Sequence, residues 1–146
     1  MREPSAQQLY DTTLRFLNKQ GCRSTRGIHR VPAYIGDRKR CAIGMYIPKP
    51  FYVKWGMEGR GVADLIYYDR LGFRHAGLME RRQWFVTHEN LLRSLMLAHD
   101  PSQAAQDRDG RYLSPDPIVN RLRAVARVHG LNDSVLDQLS WPEFWI

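Results

Sequence analysis

Apolar residues recur at two different periods along this chain, and the change of period predicts its elements. Leu9, Tyr10, Thr13, Phe16 and Leu17 fall on one face at helical spacing. Ser5, with Gln8 three residues later, forms a capping box ahead of them, and Gly21 supplies the left-handed stop. A first helix is therefore expected between Ser5 and Gly21. The segment from Cys22 to Arg30 is polar and reads as a connector. The period then shortens to two. Val31 to Ile35 reads as a strand, Gly36-Asp37-Arg38-Lys39 as a turn, and Cys41 to Ile47 as the return strand of a hairpin. In that return strand Cys41, Ile43, Met45 and Ile47 share one face, and Ala42, Gly44 and Tyr46 the other. Pro48 and Pro50 end it, because proline cannot donate to a ladder. Phe51 to Trp55 reads as one short turn before a loop from Gly56 to Gly61.

Helical spacing returns further along. Val62 to Leu71 reads as a short helix ended by Gly72. Thr87 reads as the N-cap of a stronger one, with Val86 and Leu91 as a hydrophobic staple and Leu92, Leu95 and Met96 as the buried stripe. Asp100-Pro101 stops it. Residues 101–113 are polar and aperiodic, which predicts an exposed loop. Ser114-Pro115-Asp116 opens a helix whose apolar face is Ile118, Val119, Leu122, Val125 and Ala126, up to Gly130. Asn132 caps a last short helix through Leu139, and Pro142 breaks it. The aromatic tail of residues 141–146, WPEFWI, is expected to fold back over the core. No repeat and no linker interrupts this order. The expectation is a single α+β domain over residues 1–146, with one short antiparallel β-hairpin packed with four or five α-helices.

Composition narrows the class. A chain of 146 residues that is 43% hydrophobic and 25% charged is ordinary for a globular protein. It is long enough to bury about two-thirds of its unfolded surface without metals or disulfides. No run of about 18 apolar residues is present, so no membrane contact is expected. The first residues lack the apolar core of a secretory signal. Two cysteines are too few for a disulfide scaffold and point to a reducing, cytoplasmic setting.

Charge changes the picture more. The net value is +7, and it is unevenly spread. From Arg15 to Arg60 there are eleven Lys/Arg against two acids, Asp37 and Glu58, which is +9; the remainder carries eleven against thirteen, which is −2. Arginine outnumbers lysine eighteen to four, which suits bidentate contacts to phosphate or carboxylate. Such a polar molecule attracts a polyanion or an acidic protein surface through one side. Asp37-Arg38-Lys39-Arg40 places three cations together on the expected hairpin turn. Lys49 and Lys54 alternate with Phe51, Tyr52 and Trp55, a pattern that can combine phosphate contacts with base stacking. Arg15 and Lys19 share a face of the first helix, and Arg23, Arg26 and Arg30 follow it. Arg123 and Arg127, four residues apart, read as a separate patch. The plainer reading is that Phe51, Tyr52 and Trp55 are core and the cations a solvated surface. Arg81, Arg82 and Trp84, with Trp141, Phe144 and Trp145, are the residue types that dominate protein contacts.

Catalytic chemistry is weakly encoded. Cys41, His99 and Asp100 follow the chain order of a papain-like cysteine enzyme, but a nucleophilic thiolate needs a helix N-terminus or a neighbouring cation. Cys41 among Ile43, Met45 and Ile47 is better read as a core cysteine. His99 at a helix end is explained by the helix dipole. Zinc would need Cys22, Cys41 and two histidines, and no C-x-x-C or H-x₃₋₅-H spacing occurs, so no metal is expected. Neither a Walker A nor a dinucleotide-binding glycine pattern is present, and no cofactor is expected.

The string CAIGMYIP at Cys41 to Pro48, followed by Tyr52 and Glu58-Gly59, resembles uncharacterised small proteins from phage and bacterial genomes. Their pattern is C-A-[IV]-G-x-x-I-P, then tyrosine, then E-G. The segments LYDTTLRFLNKQG and LLRSLMLAHD, and a last helix before Gly130-Leu131, are similar too. This chain departs from the pattern at Lys49, where acids are usual, and in its WPEFWI tail. The resemblance implies a phage-type origin, hence a host cytoplasm, and a mixed hairpin-plus-helices fold. It implies no activity.

Three functions stay open from the residues. The leading expectation is a small, basic, non-enzymatic accessory protein that engages nucleic acid or a host nucleoprotein complex, of the kind that serves anti-defence or host takeover. Its contact residues would be Arg23, Arg26, Arg30, Arg38, Lys39, Arg40, Lys49, Lys54 and Trp55. The second is a protein-interaction module with an acidic partner surface. The third is a Cys41-dependent hydrolase or transferase.

Overall fold

The computed structural model describes residues 2–21, 25–26, 31–32, 35–36, 39–47, 83–99 and 117–142. The expected helix at 62–71, the turn at 51–55, the loop at 101–113, the helix start at 114–116 and the end of the tail lie outside these residues.

Helix α1 spans Ala6–Gln20. Ser5 and Gln8 form the reciprocal box: the Ser5 hydroxyl accepts from the Gln8 amide at 3.1 Å, and the Ser5 amide donates to Gln8 Oε1 at 2.9 Å. Gly21 takes φ 78° and returns its N–H to the Leu17 carbonyl, a conformation open to glycine at little cost. The face this helix buries is Leu9, Tyr10, Thr13, Leu14 and Leu17. Phe16 packs only partly against the core.

After α1 come four two-residue strands, β1 at Thr25–Arg26, β2 at Val31–Pro32, β3 at Ile35–Gly36 and β4 at Lys39–Arg40. β1 pairs with β2 and β3 with β4, both antiparallel. The expected hairpin is overturned on two counts. Val31 faces Arg26, upstream, and not the 41–47 segment. Residues 41–47 do not form a strand: they make a turn that tightens into a 3₁₀ helix at Gly44–Tyr46. A half-buried strand needs one exposed face, whereas here Cys41, Ala42, Ile43, Gly44, Tyr46 and Ile47 are all buried. The alternation of large and small side chains mimicked a strand period. The α+β assignment therefore gives way to a helical fold, in which helices and this 3₁₀ turn build the described core.

Residues 83–87 are helical and run through a turn at His88 into α2, Glu89–His99. The His88 amide reaches the Trp84 carbonyl and the Leu92 amide reaches His88, each at 2.9 Å, so Thr87 caps nothing. Val86 is 46% exposed and makes no staple, while Trp84 and Phe85 are buried in the core. Helix α3, Ile118–Val128, buries Ile118, Leu122, Val125 and Ala126. It ends with Gly130 at φ 64° and the Leu131 amide bonded to the Ala126 carbonyl at 2.8 Å, a Schellman closure. Helix α4, Ser134–Asp137, is entered through the Asn132 side chain, whose Oδ1 accepts from the Ser134 amide.

α2 packs along α3, and α1 meets both α2 and α4. Two buried hydroxyls tie the layers: Tyr10 Oη donates to the Leu122 carbonyl at 2.8 Å, and Thr13 Oγ1 pairs with Tyr46 Oη at 2.7 Å. Burial, and next the charge of Asp133, push the Tyr10 phenol far above its usual range, with Arg123 opposing. No helix among the described residues is long and apolar enough to cross a membrane.

Candidate nucleic-acid interface

The basic segment begins on α1. Arg15 and Lys19 are exposed and lie four residues apart, hence on one helix face. Arg15 Nη2 donates to Gln138 Oε1 at 2.8 Å, which leaves its other donors for solvent or a ligand. Lys19 occupies the last turn, where a cation complements the helix dipole.

Gln20, the final residue of that helix, holds the next part of the segment. Its Nε2 donates to the Arg40 carbonyl at 2.9 Å, and its Oε1 accepts from the Arg40 amide at 2.7 Å. A carboxamide carries the same donor and acceptor as a peptide group, so Gln20 serves as a one-residue strand partner. In antiparallel pairing, alternate residues direct both backbone groups away from the partner strand. Arg40, opposite Ile35, does so, and α1 satisfies it. Lys39, in register with Gly36, precedes Arg40 and is carried with it.

Arg40 itself is a structural cation. Its Nη1 donates to the Ile47 carbonyl at 3.1 Å and to the Gly44 carbonyl at 3.4 Å, closing the 3₁₀ turn. Among the candidate contact residues, Arg26 belongs to β1 and Lys39 to β4. Arg23, Arg30, Arg38, Lys49, Lys54 and Trp55 lie outside the described residues.

The second expected basic patch dissolves. Arg123 bonds Asp133 at 2.8 Å and Asp137 at 3.1 Å, and these two hydrogen bonds hold its guanidinium more firmly protonated than usual. Only Arg127 of that pair remains exposed without being so tied. Arg93 likewise pairs with Glu89 at 2.7 Å. Trp84, read as a contact anchor, is core.

Of the expected catalytic trio, Cys41 is only 3% exposed, and its Sγ accepts from the Gly44 amide at 3.1 Å. His99 is the last residue of α2, and Asp100 lies outside the described residues. No group of three His, Cys, Asp or Glu side chains among the described residues is placed to hold a metal ion. Sequence reasoning passed over Gln20 altogether. Its signal was positional: a long amide at the last turn of a helix that ends at the basic segment. No family model matches the chain, and neither a curated protein nor a solved structure is similar to it.

Proposed function

We propose that this chain is a small, basic, non-enzymatic accessory protein that engages nucleic acid, alone or within a host nucleoprotein complex, in the cytoplasm. The observation that carries the reading is the charge asymmetry: +9 from Arg15 to Arg60 against −2 elsewhere. Two features support it. Arg15 and Lys19 are exposed at the end of α1 from which Gln20 holds residues 39–40, so the cations of helix and segment belong to one region. Elsewhere, Arg93 and Arg123 are paired with acids, which leaves Arg127 as the exposed cation of the Arg123–Arg127 pair. The resemblance to small phage proteins favours a role in host takeover or anti-defence. The cysteine-enzyme reading stays last, behind the interaction module, because a thiol so buried and already accepting a backbone N–H is poorly placed to attack a substrate.

The test is a titration of random-sequence DNA and RNA, single- and double-stranded, at several salt concentrations. Binding should weaken linearly on logarithmic axes as salt rises, because each neutralised phosphate releases counterions. The double variant Arg38→Glu/Lys39→Glu should bind far more weakly with an unchanged melting temperature. Arg40 is spared because it holds the 3₁₀ turn. Binding that ignores salt, or survives the double variant intact, overturns the reading. Capture of an acidic protein that persists after nuclease treatment would favour the interaction module instead.

A further inference from the structure

We infer that Gln20 is a positioning residue for this interface, setting the register between the cations of α1 and those of the β3–β4 segment. The inference rests on the nucleic-acid reading and specifies how that site is assembled. It stands on the reciprocal pair between the Gln20 carboxamide and both backbone groups of Arg40, at 2.9 and 2.7 Å. Each residue of the pair directly follows a lysine, Lys19 on one side and Lys39 on the other. The clasp therefore fixes the backbone at Lys39 beside the helix end at Lys19, although they lie 20 positions apart in sequence (39 − 19).

Fixed spacing matters for phosphate recognition. A chain that must be ordered on binding loses backbone entropy of about 1–2 kcal/mol per residue at that moment, and a segment ordered beforehand does not. Arg40 contributes from within: its guanidinium ties the same backbone to the carbonyls of Gly44 and Ile47, and thus to the buried 3₁₀ turn. Buried Tyr46 of that turn bonds Thr13 of α1. The basic segment is thereby joined to α1 at Gln20 and at Thr13 among the described residues. Only the Gln20 clasp lies at the cations.

Gln20→Ala removes the clasp and leaves the Thr13–Tyr46 bond. Gln20→Met does the same while keeping side-chain length and helix propensity, which guards against a mere packing or helix effect. Two readouts are needed: amide exchange at Arg40, and the slope of log affinity against log salt for a random single-stranded DNA. Both variants should expose the Arg40 amide to exchange and lower the slope by about one phosphate contact, at a temperature where both remain folded. A purely structural residue would lower the melting temperature and leave the slope alone. An unchanged slope in both variants, or an Arg40 amide that stays protected, overturns the inference while the nucleic-acid reading stands. A parent protein with no salt-dependent binding removes both.

Discussion

The two halves of this molecule use arginine in opposite ways. In the α2–α4 body, two arginines meet carboxylates: Arg93 takes Glu89, and Arg123 takes both Asp133 and Asp137, while Arg127 stays exposed. At the start of the basic segment, Arg40 instead takes the carbonyls of Gly44 and Ile47. The cause is compositional, since only two acids occur between Arg15 and Arg60. A carbonyl offers a partial charge where a carboxylate offers a whole one, so these bonds leave the positive charge of Arg40 uncancelled. Under the proposed function, the body supplies stability and the basic segment meets the polyanion. Stability should depend on the first, and salt-sensitive binding on the second.

The largest effect that would sharpen this division is in the body. Leu92 is fully buried between α2 and its neighbours, and Leu92→Ala should cost about 2–5 kcal/mol in a denaturant titration. The salt slope of binding should not move. If it moved as much as the stability, the two halves would not be separable.

Deleting residues 141–146 should come next. Trp141 is partly buried against the core, and Asn18 donates to the Ser140 carbonyl just before it, at 2.7 Å. Loss of about 2 kcal/mol, seen as a lower melting temperature, is expected for a large apolar side chain. A truncated protein with the parent melting point would make the tail a partner contact, and weaken the case that binding is confined to the basic half.

Cys41 lies within the basic half but is buried. Cys41→Ala leaves the buried Gly44 amide without its acceptor and should cost about 1–3 kcal/mol. Cys41→Ser keeps an acceptor there and should cost less. The reverse order, measured by thermal unfolding, would mean that apolar packing and not the amide bond dominates at this site.

The smallest effect is visible only in alkali. Burial holds the Tyr10 phenol neutral in the folded protein, while in the unfolded chain it ionises near its ordinary value of 10.0. A raised folded pKa gives stability that is complete below that pH and lost as pH rises through and beyond it. Tyr10→Phe forfeits the bond to Leu122, worth about 1 kcal/mol, but has no proton to lose. The gap between the two proteins should therefore narrow above about pH 10. A gap that stays constant would deny the burial of this hydroxyl.

Legibility in the sequence followed the locality of the cause. α1 was readable because Ser5, Gln8 and Gly21 act within one turn of their targets. The end of α3 was readable for the same reason, through Gly130. The 41–47 segment was not, since its burial is set from afar: Thr13 holds Tyr46, and every residue of the run but Met45 is buried. A short apolar run carries no sign of how many of its faces will be buried. Thr87 looked like a cap because threonine is a good N-cap and Val86 and Leu91 stand at staple spacing around it, and nothing local reveals that Trp84 and Phe85 are core. In the interface, charge was legible as composition, while Gln20 was silent because a glutamine carries no motif.

The fastening of α1 has a consequence for how the chain is made. Gln7 exchanges two hydrogen bonds with the backbone of Asn132, 125 residues later, and Arg15 reaches Gln138 across 123. On a ribosome adding about 5–20 residues per second, the first helix waits about 6–25 seconds before these partners exist. Until then that helix lacks the cover that α3 and α4 supply, including the bond from Tyr10 to Leu122. A nascent chain stalled before residue 118 should therefore recruit holding chaperones, and one released after residue 142 should not.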